Sequence, residues 1–217
     1  MNITNEKVTD YLDGFYKIPN IQLKPWREES ERKHIPIILK ETERLLTCLL
    51  IMNQPTRILE IGTATGYSAV VMAKVLDKVE IVTMENNEER YLQALNNIKN
   101  MGLEDRITVK HGDAAEILKK LEKEGTELFD FVFIDAGKSH YKSFWDRAIK
   151  LTKEKSVIIC DNVLMRATVV DKAYDPKGRH KTSIKKMQEF LEYITHIEGV
   201  ETAVLASGDG ISISCKK

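Results

Sequence analysis

The sequence predicts an α/β fold: a doubly wound, mostly parallel seven-stranded sheet with an antiparallel edge strand, preceded by a helical N-terminal extension. Three observations predict it. From Arg57 onward, short apolar runs alternate with amphipathic ones, the pattern of successive βαβ units. The run Arg57-Ile58-Leu59-Glu60-Ile61 feeds a two-glycine turn, Gly62-Thr63-Ala64-Thr65-Gly66, which opens onto a helical run. The last two strand-type runs follow each other through Ser207-Gly208-Asp209-Gly210, which reads as a hairpin.

In chain order, Val8, Tyr11, Leu12 and Phe15 recur at helical spacing. Pro19 and Pro25 interrupt that pattern. A longer apolar-periodic helix is expected from Ile37-Ile38 through Met52, with Pro36 in its first turn and Pro55 beyond its end. Residues 1–54 have no strand partner and read as an extension packed on the sheet or over its ligand edge. Strands are expected at 57–61, 79–84, 106–110, 129–134, 155–160, 200–206 and 210–215. Helices are expected at 67–77, 87–101, 113–123, 139–151, 163–169 and 183–197. Gly102 suits a helix C-cap and Asp113 a helix N-cap. The chain of 217 residues reads as one domain, with 55–217 as its core.

Composition narrows the class. Lys+Arg and Asp+Glu balance at 33 each, so net charge does not announce a nucleic-acid partner. Cys48, Cys160 and Cys215 have neither zinc-site spacing nor a disulfide framework, and suit a reducing, cytoplasmic setting. No signal peptide stands out, and no apolar run approaches the ~20 residues of a membrane span.

The glycine turn narrows the ligand. No Lys-Ser/Thr follows the glycines, which excludes a triphosphate P-loop. The spacing is Gly-x-x-x-Gly, and no cation stands ready for a pyrophosphate. Acids flank the turn instead: Glu60 just before it, and Glu85 at the end of the next strand, about where an acid accepts from ribose hydroxyls. A cationic nucleoside without phosphate fits, and S-adenosylmethionine is one. A strand–turn–helix with a packing glycine would use the same residues.

Two apolar strands end in polar oxygens, Phe131-Val132-Phe133-Ile134-Asp135 and Val157-Ile158-Ile159-Cys160-Asp161-Asn162. On neighbouring strands, Asp135, Asp161 and Asn162 would converge as a hard all-oxygen set suited to Mg²⁺. Helix N-capping is the competing use of such residues. Lys138 can point back into the same pocket. Beside a divalent cation its ammonium would be disfavoured, leaving the neutral amine of a general base. For His140 and Tyr141, capping or packing is the expectation.

Leu59-Glu60-Ile61-Gly62-Thr63-Ala64-Thr65-Gly66-Tyr67-Ser68, Phe133-Ile134-Asp135-Ala136-Gly137-Lys138, Asp161-Asn162-Val163-Leu164 and Gly208-Asp209-Gly210 resemble the cation-dependent O-methyltransferases, which have a Rossmann-like fold. The resemblance runs from about His34 to the C-terminus. Within the family it is similar to the bacterial branch that methylates 5-hydroxyuridine in tRNA, through His34-x-Pro36-Ile37, Asn96-Asn97-Ile98-Lys99 and the basic loop near 177–186. It implies a metal site of Asp135, Asp161 and Asn162. It implies a methyl-donor site lined by Ile38, Gly62, Ser68, Glu85, Asp113 and Ala114, with Glu60 beside it and Asp135 near both ligands. It also implies Lys138 as catalytic base and a homodimer. One departure is Met165-Arg166-Ala167, where relatives often carry a glycine.

The implied reaction is Mg²⁺-assisted transfer of a methyl group to one of two adjacent acceptor oxygens. Catechols and 5-hydroxyuridine offer a similar pair. Charge distribution favours tRNA as partner, with wobble 5-hydroxyuridine converted to 5-methoxyuridine. Lys177, Arg179, Lys181, Lys185 and Lys186, with Arg166 and Lys172 before them, form a cationic rim suited to phosphates. A solvated loop would show the same charges. The alternative acceptor is a small catechol or caffeoyl-type molecule.

Overall fold

A computed structural model describes residues 5–16 and 20–217. The break expected at Pro19 lies outside them. The sheet has seven strands: β1 (Arg57–Ile61), β2 (Glu80–Glu85), β3 (Ile107–His111), β4 (Phe129–Ile134), β5 (Thr152–Asp161), β6 (Val200–Leu205) and β7 (Ile211–Lys216). Their spatial order is β3-β2-β1-β4-β5-β7-β6. β1 to β5 pair in parallel, and β7 runs antiparallel to both β5 and β6. The antiparallel pairing therefore closes one edge, with β6 outermost and β7 one place in.

The near-continuous apolar runs reflect burial on both faces, as parallel strands require. Side chains alternate along each strand. Ile58, Phe131, Phe133 and Ile159 join one core layer with Leu46, Leu50 and Val70. Leu59, Val132, Ile134 and Ile158 join the other with Leu118, Trp145, Met187 and Phe190. The first layer takes helices α3 (Lys40–Asn53), α4 (Tyr67–Val75) and α5 (Glu88–Asn100). The second takes α6 (Ala114–Lys123), α7 (Tyr141–Ala148) and α8 (Lys181–His196). The extension also contains α1 (Glu6–Asp13) and α2 (Lys24–Arg32).

Two sequence expectations need correction. The helix expected from Ile37 begins at Lys40, and residues 35–39 are irregular. The helix expected at 163–169 is replaced by a 3-10 turn, Met165–Ala167. There Met165, Arg166 and Ala167 have positive φ, at 48°, 54° and 66°. Long-range bonds impose this path: Val163 N–H donates to Gly210 O at 2.9 Å, Leu164 N–H donates to Asp209 O at 3.0 Å, and Arg166 N–H donates to the Asp209 carboxylate. No helix among the described residues is long and apolar enough to cross a membrane.

Candidate active site

The strand order reverses between β1 and β4, and ligands of such sheets bind outside the carboxyl ends at that switch point. A cavity of about 390 Å³ opens there. Gly62 makes the junction possible. Its φ is +103°, and a Cβ on it would lie 2.0 Å from the Asp135 carbonyl oxygen. Gly66, also at positive φ, then starts α4.

The structure brings Ile38, Gly62, Ser68, Glu85, Asp113, Ala114 and Asp135 to this one cavity. Glu85 is fixed from both sides: Oε2 accepts from Ala64 N–H and Oε1 from Asn87 N–H, each at 2.9 Å. Asp113 caps α6, accepting from Glu116 N–H at 3.1 Å. Glu60 is the exception. It does not line the cavity but lies fully buried beneath the turn. Its two oxygens accept from Ser68 Oγ at 2.5 Å and Thr83 Oγ1 at 2.6 Å. Burial pushes its carboxyl up to about 7, against those two hydrogen bonds. Glu60 thus supports the turn from below, a place that its sequence position alone does not distinguish from a ligand-facing one.

Beyond the cavity lie the strand-end oxygens. Lys138 Nζ donates to Asp135 Oδ1 at 3.0 Å, to Asn162 Oδ1 at 2.8 Å and to Tyr141 Oη at 2.9 Å. Asn162 has φ 56°, a left-handed conformation that asparagine tolerates better than most residues. Tyr141 Oη in turn donates to Asp161 O at 2.8 Å. Asp161 is buried, and its Oδ2 finds no hydrogen-bond partner among the described residues. Burial first, and Asp135 second, push its carboxyl up to about 7.

An orphaned buried carboxylate oxygen beside a second carboxylate and an amide oxygen fits a hard divalent ion. No group of three His, Cys, Asp or Glu residues suited to a metal occurs among the described residues. The candidate centre therefore depends on the Asn162 amide as third oxygen.

A second cavity, about 580 Å³, adjoins Lys138 on the other side. Arg166, Lys177 and Arg179 line it, with Tyr174, His180 and Asp209. Lys181 and Lys185 are exposed and do not line it, and Lys185 lies 3.8 Å from Glu189. Lys186 faces a separate groove between α7 and α8. The side chain of Lys172 lies outside what the structure describes. Tyr141 packs as expected, buried against Phe190, and its Oη in addition bonds Lys138 and the Asp161 carbonyl. The sequence reading gave Asp209 no place on a cavity wall, where the structure puts it. Asp209 had a signal, its place between two glycines in a hairpin turn.

Comparison with known proteins gives the family and supports the fold. A family model described as O-methyltransferase covers residues 20–217. A curated catechol O-methyltransferase from Niastella koreensis is 35% identical over 129 residues, 59% of this chain and 58% of that one. A caffeoyl-CoA O-methyltransferase from Populus kitakamiensis is 30% identical over 220 residues, covering 95% and 91%. Among solved structures, an O-methyltransferase from Bacillus cereus in complex with SAH aligns over 97% of each chain, at 28% identity and TM-score 0.83.

Proposed function

The chain belongs to the O-methyltransferase family, and we propose that it moves the methyl group of S-adenosylmethionine onto a hydroxyl of an acceptor with two adjacent oxygens. The observation that carries this reading is the position of the Asp135–Lys138 pair. Asp135 lines the cavity at the switch point, and Lys138 lines the neighbouring one. A donor in the first and an acceptor in the second would meet at this pair.

In the donor cavity, Glu85 offers remaining lone pairs to ribose hydroxyls, and its charge complements a cationic donor. Asp135, Asp161 and Asn162 would hold a Mg²⁺-type ion. Such an ion, when bound, supplies Lewis-acid stabilisation of the acceptor oxyanion. The transfer itself is in-line. The sulfur–methyl bond breaks as the oxygen–methyl bond forms, and the sulfonium becomes a thioether. The acceptor hydroxyl proton passes to the Lys138 amine. Tyr141 Oη, anchored on the Asp161 carbonyl, holds Lys138 in place.

For the acceptor, the names of the relatives support a small vicinal diol of the catechol or caffeoyl type. A second reading, 5-hydroxyuridine of tRNA, is supported by Arg166, Lys177 and Arg179 on the acceptor cavity wall. Such a base must leave its stack to reach a pocket. The test is to offer purified enzyme, S-adenosylmethionine and Mg²⁺ to catechols and to hypomodified tRNA, reading products by mass spectrometry. Methylated catechol supports the first reading, and 5-methoxyuridine the second. No product from either class, in enzyme that binds the donor, would refute both.

A further inference from the structure

One buried guanidinium joins α2, α3 and α4. Arg27, on α2, is 2% exposed. Its Nε donates to Tyr67 Oη at 3.0 Å, and its Nη2 donates to the Ile38 carbonyl at 3.0 Å and pairs with the Glu43 carboxylate. Nη1 donates to Glu31 Oε1 at 3.1 Å. Tyr67 Oη donates on to Glu43 Oε2 at 2.9 Å, closing the network.

Two of these partners, Ile38 and Tyr67, line the cavity at the switch point. Ile38 sits in the irregular 35–39 segment, which has no helix or sheet ladder to fix it. Ile35 N–H is tied back to Ser30 O at 2.9 Å, and Leu39 O accepts from Glu43 N–H at 2.9 Å. Between those anchors, Arg27 holds the Ile38 carbonyl. A buried ion pair is a poor way to gain stability, since apolar side chains of similar volume serve as well. The planar fork of arginine, by contrast, fixes several acceptors in one geometry.

We propose that Arg27 is a positioning residue for methyl-donor binding. Through the Ile38 carbonyl and the Tyr67 hydroxyl, it holds the extension as one wall of the donor cavity. The inference rests on the reading of that cavity as the donor site.

The test titrates S-adenosylhomocysteine calorimetrically into the full-length wild type, an Arg27→Met/Glu43→Leu double variant and Tyr67→Phe. Thermal unfolding and acceptor KM are measured alongside. Removing both charges together leaves no unpaired buried charge, so the Tm should fall only by the loss of the bonds to the Tyr67 hydroxyl and the Ile38 carbonyl, and the variant should still fold. The double variant should bind S-adenosylhomocysteine about tenfold more weakly, the usual scale of coupling between sites, with acceptor KM unchanged. Tyr67→Phe keeps the ion pair and loses one strut, so it should weaken binding by a smaller factor. Wild-type affinity in the double variant overturns the inference, as does an equal weakening of donor and acceptor. If the double variant does not fold, undiminished affinity in Tyr67→Phe overturns it. A wild type that fails to bind S-adenosylhomocysteine refutes the donor-site reading itself, and this inference with it.

Discussion

Lys138 Nζ donates to Asn162 Oδ1 at 2.8 Å, joining the loop after β4 to the end of β5. With the bond to Asp135 Oδ1, this places an amine against the oxygens assigned to the metal. Lys138→Met keeps the length and removes the base. The turnover rate should fall by about 10²-fold or more, the usual contribution of a positioned general base. Donor affinity should stay within a few-fold, since Lys138 does not line the donor cavity. Steady-state kinetics with parallel calorimetry checks this.

Glu60 predicts a pH dependence of stability. Its carboxyl titrates near 4.5 when unfolded and at about 7 when folded. The folded state therefore binds more protons between those values. The stabilisation is complete below about pH 4.5 and is lost as pH rises to about 7. Glu60→Gln should flatten that slope. Its amide still accepts from Ser68, and the Thr83 and Thr63 hydroxyls, 2.6 Å apart, can reverse their donation to receive its N–H. Chemical denaturation at pH 5 and pH 8 should show a smaller difference in the variant than in wild type.

The close approach of Gly62 to Asp135 predicts intolerance of any side chain. Gly62→Ala puts a methyl where the Asp135 carbonyl stands, on a backbone at φ +103°. Clash and strain together should cost several kcal/mol, about 3 or more. Donor affinity should fall with it, because the turn and the end of β4 share the cavity. Denaturant midpoints and S-adenosylhomocysteine titration report the two effects.

The basic wall separates the two acceptor readings. A triple variant, Arg166→Ala/Lys177→Ala/Arg179→Ala, should leave methylation of a small catechol within about twofold. If tRNA is the acceptor, its KM should rise by about 10-fold or more, and the salt dependence of binding should shallow by about 0.7 to 0.9 for each phosphate that is no longer neutralised. Salt-series kinetics on both acceptors checks this.

The strands were legible because both sheet faces are buried, and β4 and β5 therefore read as unbroken apolar runs. The meeting of Asp135, Asp161 and Asn162 at one edge of the sheet was legible for a related reason. Strand ends are easy to place, and parallel strands bring their carboxyl ends to one edge. The misread segments depend on partners distant in sequence. The path of 163–169 is set by Asp209 and Gly210, more than forty residues later. The late start of α3 accompanies the grip of Arg27 on the Ile38 carbonyl. Glu60 reads as a ligand-facing acid in the sequence because a strand-end acid can face either the cavity or the core. Its hydroxyl partners, Ser68 and Thr83, decide for the core.

The most direct measurement is methyl transfer to a catechol-type acceptor and to hypomodified tRNA by wild-type enzyme, first stripped with EDTA and then titrated with Mg²⁺. The oxygen set of Asp135, Asp161 and Asn162 predicts product that appears only as Mg²⁺ is added, and no such response in Asp161→Ala. Equal turnover in EDTA and in saturating Mg²⁺ would contradict it.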